Sequence, residues 1–243
     1  MKTAIAWASY LLFGAALLAH AQETNWQSQR LRLIDEIRAD VRRTEDYTGM
    51  HALDERVLAA MSDVPRHEFV PPQDRDAAYE NRPLPIGFGQ TISQPYIVAL
   101  MTDLLKPQPG HVVLEIGTGS GYQAAVLARL VRHVYTIEIV EPLYRSSKQR
   151  LDQLGYHNVT AKHADGYHGW AEHGPFDGII VTAAGAQIPP PLVQQLKPGG
   201  RMILPVGGGF AAQYLVLVNK DADGHVSTQQ ILPVMFVPLT RER

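Results

Sequence analysis

One stretch, Val112 to Val131 (VVLEIGTGSGYQAAVLARLV), limits the folds open to this 243-residue chain more than any other. Val112, Val113, Leu114 and Ile116 make a short apolar run of the kind a parallel strand shows when both its faces are buried. The run leads into Glu115-Ile116-Gly117-Thr118-Gly119-Ser120-Gly121, and an Ala/Leu/Val-rich helix is expected from about Tyr122. Strand, glycine loop and helix in that order build a ligand site at the carboxyl edge of an α/β sheet. Glycines without Cβ atoms let such a loop turn tightly and come close to what it holds.

The spacing narrows the ligand. A dinucleotide fingerprint needs G-x-G-x-x-G, and Tyr122 stands where the third glycine belongs. Glu115, just before the loop, would crowd a pyrophosphate but suits an amino-acid ammonium group. A second apolar strand (Val134, Tyr135, Thr136, Ile137) ends at Glu138. That is roughly 20 residues past the loop, where an acid can accept hydrogen bonds from two ribose hydroxyls. Glycines alone are also what an ordinary tight turn requires. With both acids in register they point to S-adenosylmethionine rather than NAD.

The rest of the chain is consistent with one α/β domain carrying additions. A hydrophobic content of 45% with 19% charged residues allows a full core. A net charge of −2 argues against a nucleic-acid binder, whose footprint is basic. The chain has no cysteine, which excludes disulfides, thiolate zinc sites and cysteine nucleophiles. Residues 1–21 read as a secretory signal peptide: Lys2, an apolar run from Ala4 to Leu18, then Ala19-His20-Ala21 as an A-x-A cleavage site. The mature chain, a single domain over 22–243, would begin at Gln22 and be exported, which suggests a periplasmic location. Within it, 22–92 reads as N-terminal helices plus a substrate-side segment, and 93–243 as the cofactor-binding core with C-terminal strands.

Leu31, Ile34, Ile37 and Val41 form a helical stripe over about Asn25–Arg43, and a second short helix is expected over Asp54–Met61. Residues 64–105 lack a clear period until a helix begins near Pro95; Pro83, Pro85, Gly87 and Gly89 force a defined irregular path. Irregular segments of such length are often functional. Ser93 there reads as the N-cap of the Pro95 helix, a role that can coexist with a chemical one. Further on, a helix is expected over Glu141–Leu154 and a third strand over Val159–Ala161. Asp165-Gly166 follows, placed either as an adenine contact or as a simple Asp-Gly turn. His163, His168 and His173 recur every five residues and share no helical face, so they read as loop histidines, with no metal site. Phe176–Val181 is a fourth, continuously apolar strand. A short helix from Pro189 ends in a sharp turn at Lys197-Pro198-Gly199-Gly200, and a fifth strand spans Arg201–Val206. Tyr214–Val218 and Ile231–Val237 complete the sheet, antiparallel, with a turn near Asp221–Gly224. Ser120 lacks the G-x-S-x-G elbow of a serine hydrolase.

The assembled pattern resembles the protein-L-isoaspartate O-methyltransferase family. The resemblance rests on Pro65 to Met101 (PRHEFVPP…AYENRPLPIGFGQTISQPYIVALM), EIGTGSGYQAAVLA, FDGIIVTAA, LKPGGRMILPVG and the terminal VMFVPLT. It spans roughly residues 30–240, and the GQTIS stretch is its most specific part. It implies a doubly wound, seven-stranded, mostly parallel Rossmann-like sheet that binds S-adenosylmethionine. It also implies methyl transfer to the free α-carboxylate of L-isoaspartyl residues in damaged proteins or peptides, whose ester then collapses unaided to a succinimide. By the resemblance Ser93 is the active-site serine. Glu115, Gly117, Thr118, Gly119 and Gly121 belong to the cofactor loop, Glu138 is the ribose acid, and Asp165 with Gly166 meets the adenine. Such a carboxylate, with a pKa of about 4, is already ionised at neutral pH and needs no strong base. The expected partners are isoaspartyl proteins or peptides, with no nucleic acid, no stable membrane insertion once the leader is removed, and a monomeric chain. The leader departs from the family, which acts in the cytoplasm where the cofactor is made. Two other functions stay open: a methyltransferase with another acceptor, and an exported non-catalytic binding module.

Overall fold

The computed structural model describes residues 25–208 and 212–241; the leader at 1–21 lies outside them. Seven strands form one sheet in the order β5-β4-β3-β6-β7-β8-β9. They are β3 (Val112–Ile116), β4 (His133–Glu138), β5 (Val159–His163), β6 (Phe176–Val181), β7 (Leu196–Val206), β8 (Gln213–Lys220) and β9 (Val226–Val234). The first five are parallel to their neighbours, while β8 and β9 pair antiparallel at one end. Parallel neighbours need crossover connections, and these place helices on the sheet faces. The helices are α1 (25–43), α2 (Glu45–Thr48), α3 (Glu55–Asp63), α4 (Pro95–Leu104), α5 (Tyr122–Ala128), α6 (Glu141–Gln153) and α7 (Pro190–Gln194). No helix among the described residues is long and apolar enough to cross a membrane.

Strand alternation divides the core in two. Val113, Ile180 and Ile203 face α1, α3, α4 and α5, which contribute Ile37, Met61, Leu100 and Leu127. Leu114, Ile116, Ile179, Val181 and Met202 face the opposite layer with Trp170, Phe176 and Leu192. In α1 the buried stripe is Leu33, Ile34, Ile37 and Val41, whereas Leu31, expected in it, points outward. Asp54 caps α3 by accepting from the Arg56 amide at 2.8 Å.

The irregular segment is more ordered than its composition indicates. It contains two 3-10 turns, Arg66–Glu68 and Pro72–Ala77, and an antiparallel hairpin of β1 (Leu84–Gly87) and β2 (Gln90–Ile92). Strands this short, interrupted by Pro85 and Gly87, leave no alternation to read. The cap position of α4 is Gln94, without a side-chain bond, so Ser93 is not its cap; Asn81 Oδ1 instead accepts the Tyr96 amide from 15 residues away. The Lys197–Gly200 turn is a bulge inside β7, where Phe176 pairs with Leu196 and Gly178 with Arg201. The last strand begins at Val226 and ends at Val234, earlier at both ends than the apolar run Ile231–Val237 suggests. His163 closes β5 rather than lying in a loop.

Candidate active site

The carboxyl ends of β3, β4, β5 and β6 converge on one open cavity. Ile116 to Ser120 line it from β3, Ile137 to Val140 from β4, Gly166 from beyond β5, and Thr182 with Ala183 from β6. Gln90, Thr91, Ile92 and Ser93 form a further wall, and Val237 to Thr240 another.

The loop after β3 is held by main-chain bonds to its neighbour: the amides of Gly117 and Thr118 both donate to the Ile137 carbonyl, at 2.8 and 3.2 Å. Gly117 has φ +94°, and a Cβ there would lie 2.4 Å from Thr182 Oγ1. Only glycine fits that turn against β6. From α6, Arg150 donates to the Ser120 carbonyl at 2.9 Å and fastens the far end of the loop.

Glu138 lines the cavity with both carboxylate oxygens engaged. Oε2 accepts the Gly119 amide at 2.7 Å and Oε1 the Val140 amide at 2.9 Å. Two main-chain donors hold the carboxylate in a fixed orientation at the end of β4, and each oxygen keeps a lone pair for a ligand hydroxyl. An anchored acid, a glycine backbone and apolar Ile116, Ile139 and Leu239 form a donor set that fits a ribose-bearing group such as S-adenosylmethionine.

Of the sequence-predicted residues, Ser93, Gly117, Thr118, Gly119, Glu138 and Gly166 line this cavity. Glu115, Gly121 and Asp165 do not. Glu115 is fully buried on the α5 side of the sheet. Its Oε2 accepts from the Thr136 hydroxyl at 2.5 Å, and Thr136 in turn meets Thr118 Oγ1 at 2.6 Å. Its Oε1 has no hydrogen-bond partner among the described residues. Burial, opposed by the Thr136 bond and reinforced by the charge of Glu138, pushes the Glu115 carboxyl up to about 8. Gly121 (φ +90°) starts α5 against Leu151. Asp165 Oδ1 accepts the Tyr167 amide at 2.9 Å, and its Oδ2 pairs with Arg241 at 2.8 Å; the Arg241 guanidinium lies 3.6 Å from the Tyr167 ring centroid. Asp165 therefore stands beside Gly166 with an arginine already on it.

Sequence reasoning missed two features. One is Arg66, buried beneath Ser93, which donates from Nη2 to the Ser93 carbonyl at 2.8 Å. Its trace in the sequence is slight: one basic residue beside His67 and Glu68 in a short segment (Val64–Val70) bounded by Val64, Phe69 and Val70. The other is a groove on the outer side of Ser93, walled by Ile97, Leu232, Val234 and Phe236 and edged by Arg43 and the exposed Met235. Thr91, Ser93, Thr182 and Val237 border both the groove and the cavity, so the two meet at these residues.

The family model for protein-L-isoaspartate(D-aspartate) O-methyltransferase matches residues 41–243. The chain is 65% identical over 211 residues to a protein-L-isoaspartate O-methyltransferase 2 of Polaromonas sp., covering 87% of this chain and all of that one. It is 61% identical over 220 residues to its counterpart from Syntrophobacter fumaroxidans, covering 90% and 89%. A solved protein-L-isoaspartate O-methyltransferase superposes with a TM-score of 0.74 at 28% identity, covering 86% of this chain and 65% of that one. A putative enzyme of this kind from Plasmodium falciparum, solved with S-adenosyl-L-homocysteine, superposes with a TM-score of 0.68 at 24% identity over 85% of this chain and 98% of its own, a likeness of fold. By sequence over most of its length, and by fold, the chain belongs to the protein-L-isoaspartate O-methyltransferase family.

Proposed function

We propose that the protein transfers a methyl group from S-adenosylmethionine to the free α-carboxylate of L-isoaspartyl residues in damaged proteins and peptides. The observation that carries this reading is the position of Ser93. It stands with Thr91, Thr182 and Val237 where the cavity at the strand ends meets a second, largely apolar groove that a polypeptide segment could occupy. When bound, S-adenosylmethionine supplies a methyl group on a cationic sulfur. Glu138 and the loop Gly117–Gly119 hold its ribose and amino-acid portions, and Gly166 leaves space for the adenine.

The chain's own residues have little acid–base work to do. A carboxylate nucleophile is ionised at neutral pH, so no general base is needed; the reaction needs alignment and the removal of water. The Ser93 hydroxyl can donate one hydrogen bond to the carboxylate and orient it. As a neutral donor it leaves more of the oxygen's nucleophilicity than a salt bridge to an arginine or lysine would. Ile92, Ile97, Val237 and Leu239 exclude water around that point.

The test is label transfer from S-adenosylmethionine by the purified protein to two peptides that differ only in L-isoaspartate or aspartate at one position. Base-labile label on the isoaspartyl peptide alone is expected. Label on neither, with the cofactor bound, would point to another acceptor.

The apolar leader at 1–21 supports a second part of the proposal, that the chain is exported and processed to begin at Gln22. N-terminal sequencing of protein from periplasmic and cytoplasmic fractions of expressing cells tests it. Intact Met1 confined to the cytoplasm would overturn it.

A further inference from the structure

Among the described residues Arg66 is the largest fully buried side chain, with 0% of its surface exposed. Its Nε donates to the Ala78 carbonyl and its Nη2 to the Ser93 carbonyl, both at 2.8 Å. The guanidinium lies over the Tyr122 ring, 4.7 Å from its centroid. Its Nη1 has no hydrogen-bond partner, and no carboxylate pairs with it among the described residues. Burial lowers it to about 10, which still leaves it cationic at neutral pH.

A cation placed this way is poorly rewarded as a structural element. A buried charge needs a partner charge and full hydrogen bonding to offset its lost hydration, and an apolar side chain of similar volume usually stabilises a fold as well or better. What the arginine does that an apolar residue cannot is reach two walls of the site from below. Ser93 belongs to the segment that separates cavity from groove. Tyr122 is the first residue of α5, directly after the Gly117–Gly121 loop. The guanidinium fixes the first by a directed hydrogen bond and lies over the ring of the second as a cation.

We infer that Arg66 is a positioning residue for methyl transfer, setting the acceptor-side serine in register with the donor-side loop. This rests on the methyltransferase reading above. An in-line displacement tolerates little misregistration between oxygen and methyl carbon, and a shift of about 1 Å can slow such a reaction about 100-fold. Arg66 acts through the Ser93 main chain, so its loss should be felt in the alignment of a bound acceptor and much less in the binding of the donor.

The experiment compares wild type, Arg66→Lys, Arg66→Met, Ser93→Ala and the double variant Arg66→Lys/Ser93→Ala. Each is assayed for kcat and KM on the isoaspartyl peptide, and by calorimetry for S-adenosylhomocysteine and for the peptide on the S-adenosylhomocysteine-loaded protein. A wild type that transfers no methyl removes the methyltransferase reading itself and this inference with it. With wild-type transfer established, the folded Arg66→Lys variant should lose roughly 10- to 100-fold in kcat while binding S-adenosylhomocysteine within about twofold of wild type. In the Ser93→Ala background the same change should cost far less, because both act on one alignment. Unchanged kcat, parallel losses of kcat and S-adenosylhomocysteine affinity, or fully additive effects would each overturn the inference. Should neither Arg66 variant fold, Tyr122→Leu removes the ring beneath the guanidinium and must show the same loss of kcat with the peptide still bound; unaltered kcat overturns it.

Discussion

Glu138 Oε2 accepts the Gly119 amide at 2.7 Å, so the acid at the end of β4 is bound to the glycine loop before any ligand arrives. The pair joins two neighbouring parallel strands through their carboxyl-terminal loops and makes the loop's shape depend on the carboxylate.

Glu138→Gln should therefore weaken cofactor binding by more than the loss of one ligand contact. An amide side chain has one acceptor oxygen, so the Gly119 or the Val140 amide loses its partner. Hydrogen bonds to a charged group contribute about 1.5–3 kcal/mol, which corresponds to roughly 10- to 150-fold in affinity at about 1.4 kcal/mol per decade. Calorimetric titration with S-adenosylhomocysteine measures it. Affinity within twofold of wild type would show that neither the Glu138 carboxylate nor its hold on the loop matters to cofactor binding.

Ser93→Ala should leave S-adenosylhomocysteine affinity within about twofold and lower kcat on the isoaspartyl peptide by roughly 10- to 100-fold, the range of one hydrogen bond to a charged group. Steady-state kinetics with both substrates varied separates the two. Turnover equal to wild type removes Ser93 from the mechanism.

Glu115 gives a pH signature. Its folded carboxyl is raised from 4.5 to about 8, chiefly by burial. Between those values the unfolded chain ionises it while the folded chain keeps the proton, so its contribution to stability falls as pH rises. The slope is at most about 1.4 kcal/mol per pH unit, and it levels off above the folded pKa. Glu115→Gln removes the titration, so its Tm should gain on wild type from about pH 5 to about pH 8. A constant difference across that range would mean Glu115 is ionised in the fold.

Gly117→Ala meets two obstacles at once: φ is +94°, and the new Cβ falls 2.4 Å from Thr182 Oγ1. The backbone strain alone costs about 1–2 kcal/mol, visible as a lowered urea midpoint, and cofactor affinity should fall with it. Adding Thr182→Ala removes the clash but not the strain. The double variant should thus recover part of the cofactor affinity; no recovery would mean the dihedral alone matters.

The sequence carried the centre of this protein because that information is local. A short apolar run, glycines at fixed spacing and an Ala/Leu/Val-rich helix specify β3, its loop and α5 within 20 residues, and Glu138 follows from the next strand's length. The same pattern did not show how Glu115 is buried. A strand buried on both faces reads as apolar throughout, so it does not reveal which face an odd residue occupies; pairing with β4 and β6 sets Glu115 against Thr136, fully buried and outside the cavity lining. Pairing likewise, not composition, makes the Lys197–Gly200 turn a bulge in β7 and carries the last strand back to Val226.

The chain alone thus determined the glycine loop after β3 and the acid that ends β4, each set by steric and spacing rules acting over a few residues. Only tertiary structure decided that Ser93 stands where a cavity meets a groove, that Arg66 lies beneath it bonded to a carbonyl 27 residues away, and that Arg241 is paired with Asp165 across 76 residues. Those contacts join segments far apart in sequence, and they form because burying the two sheet faces brings those segments together.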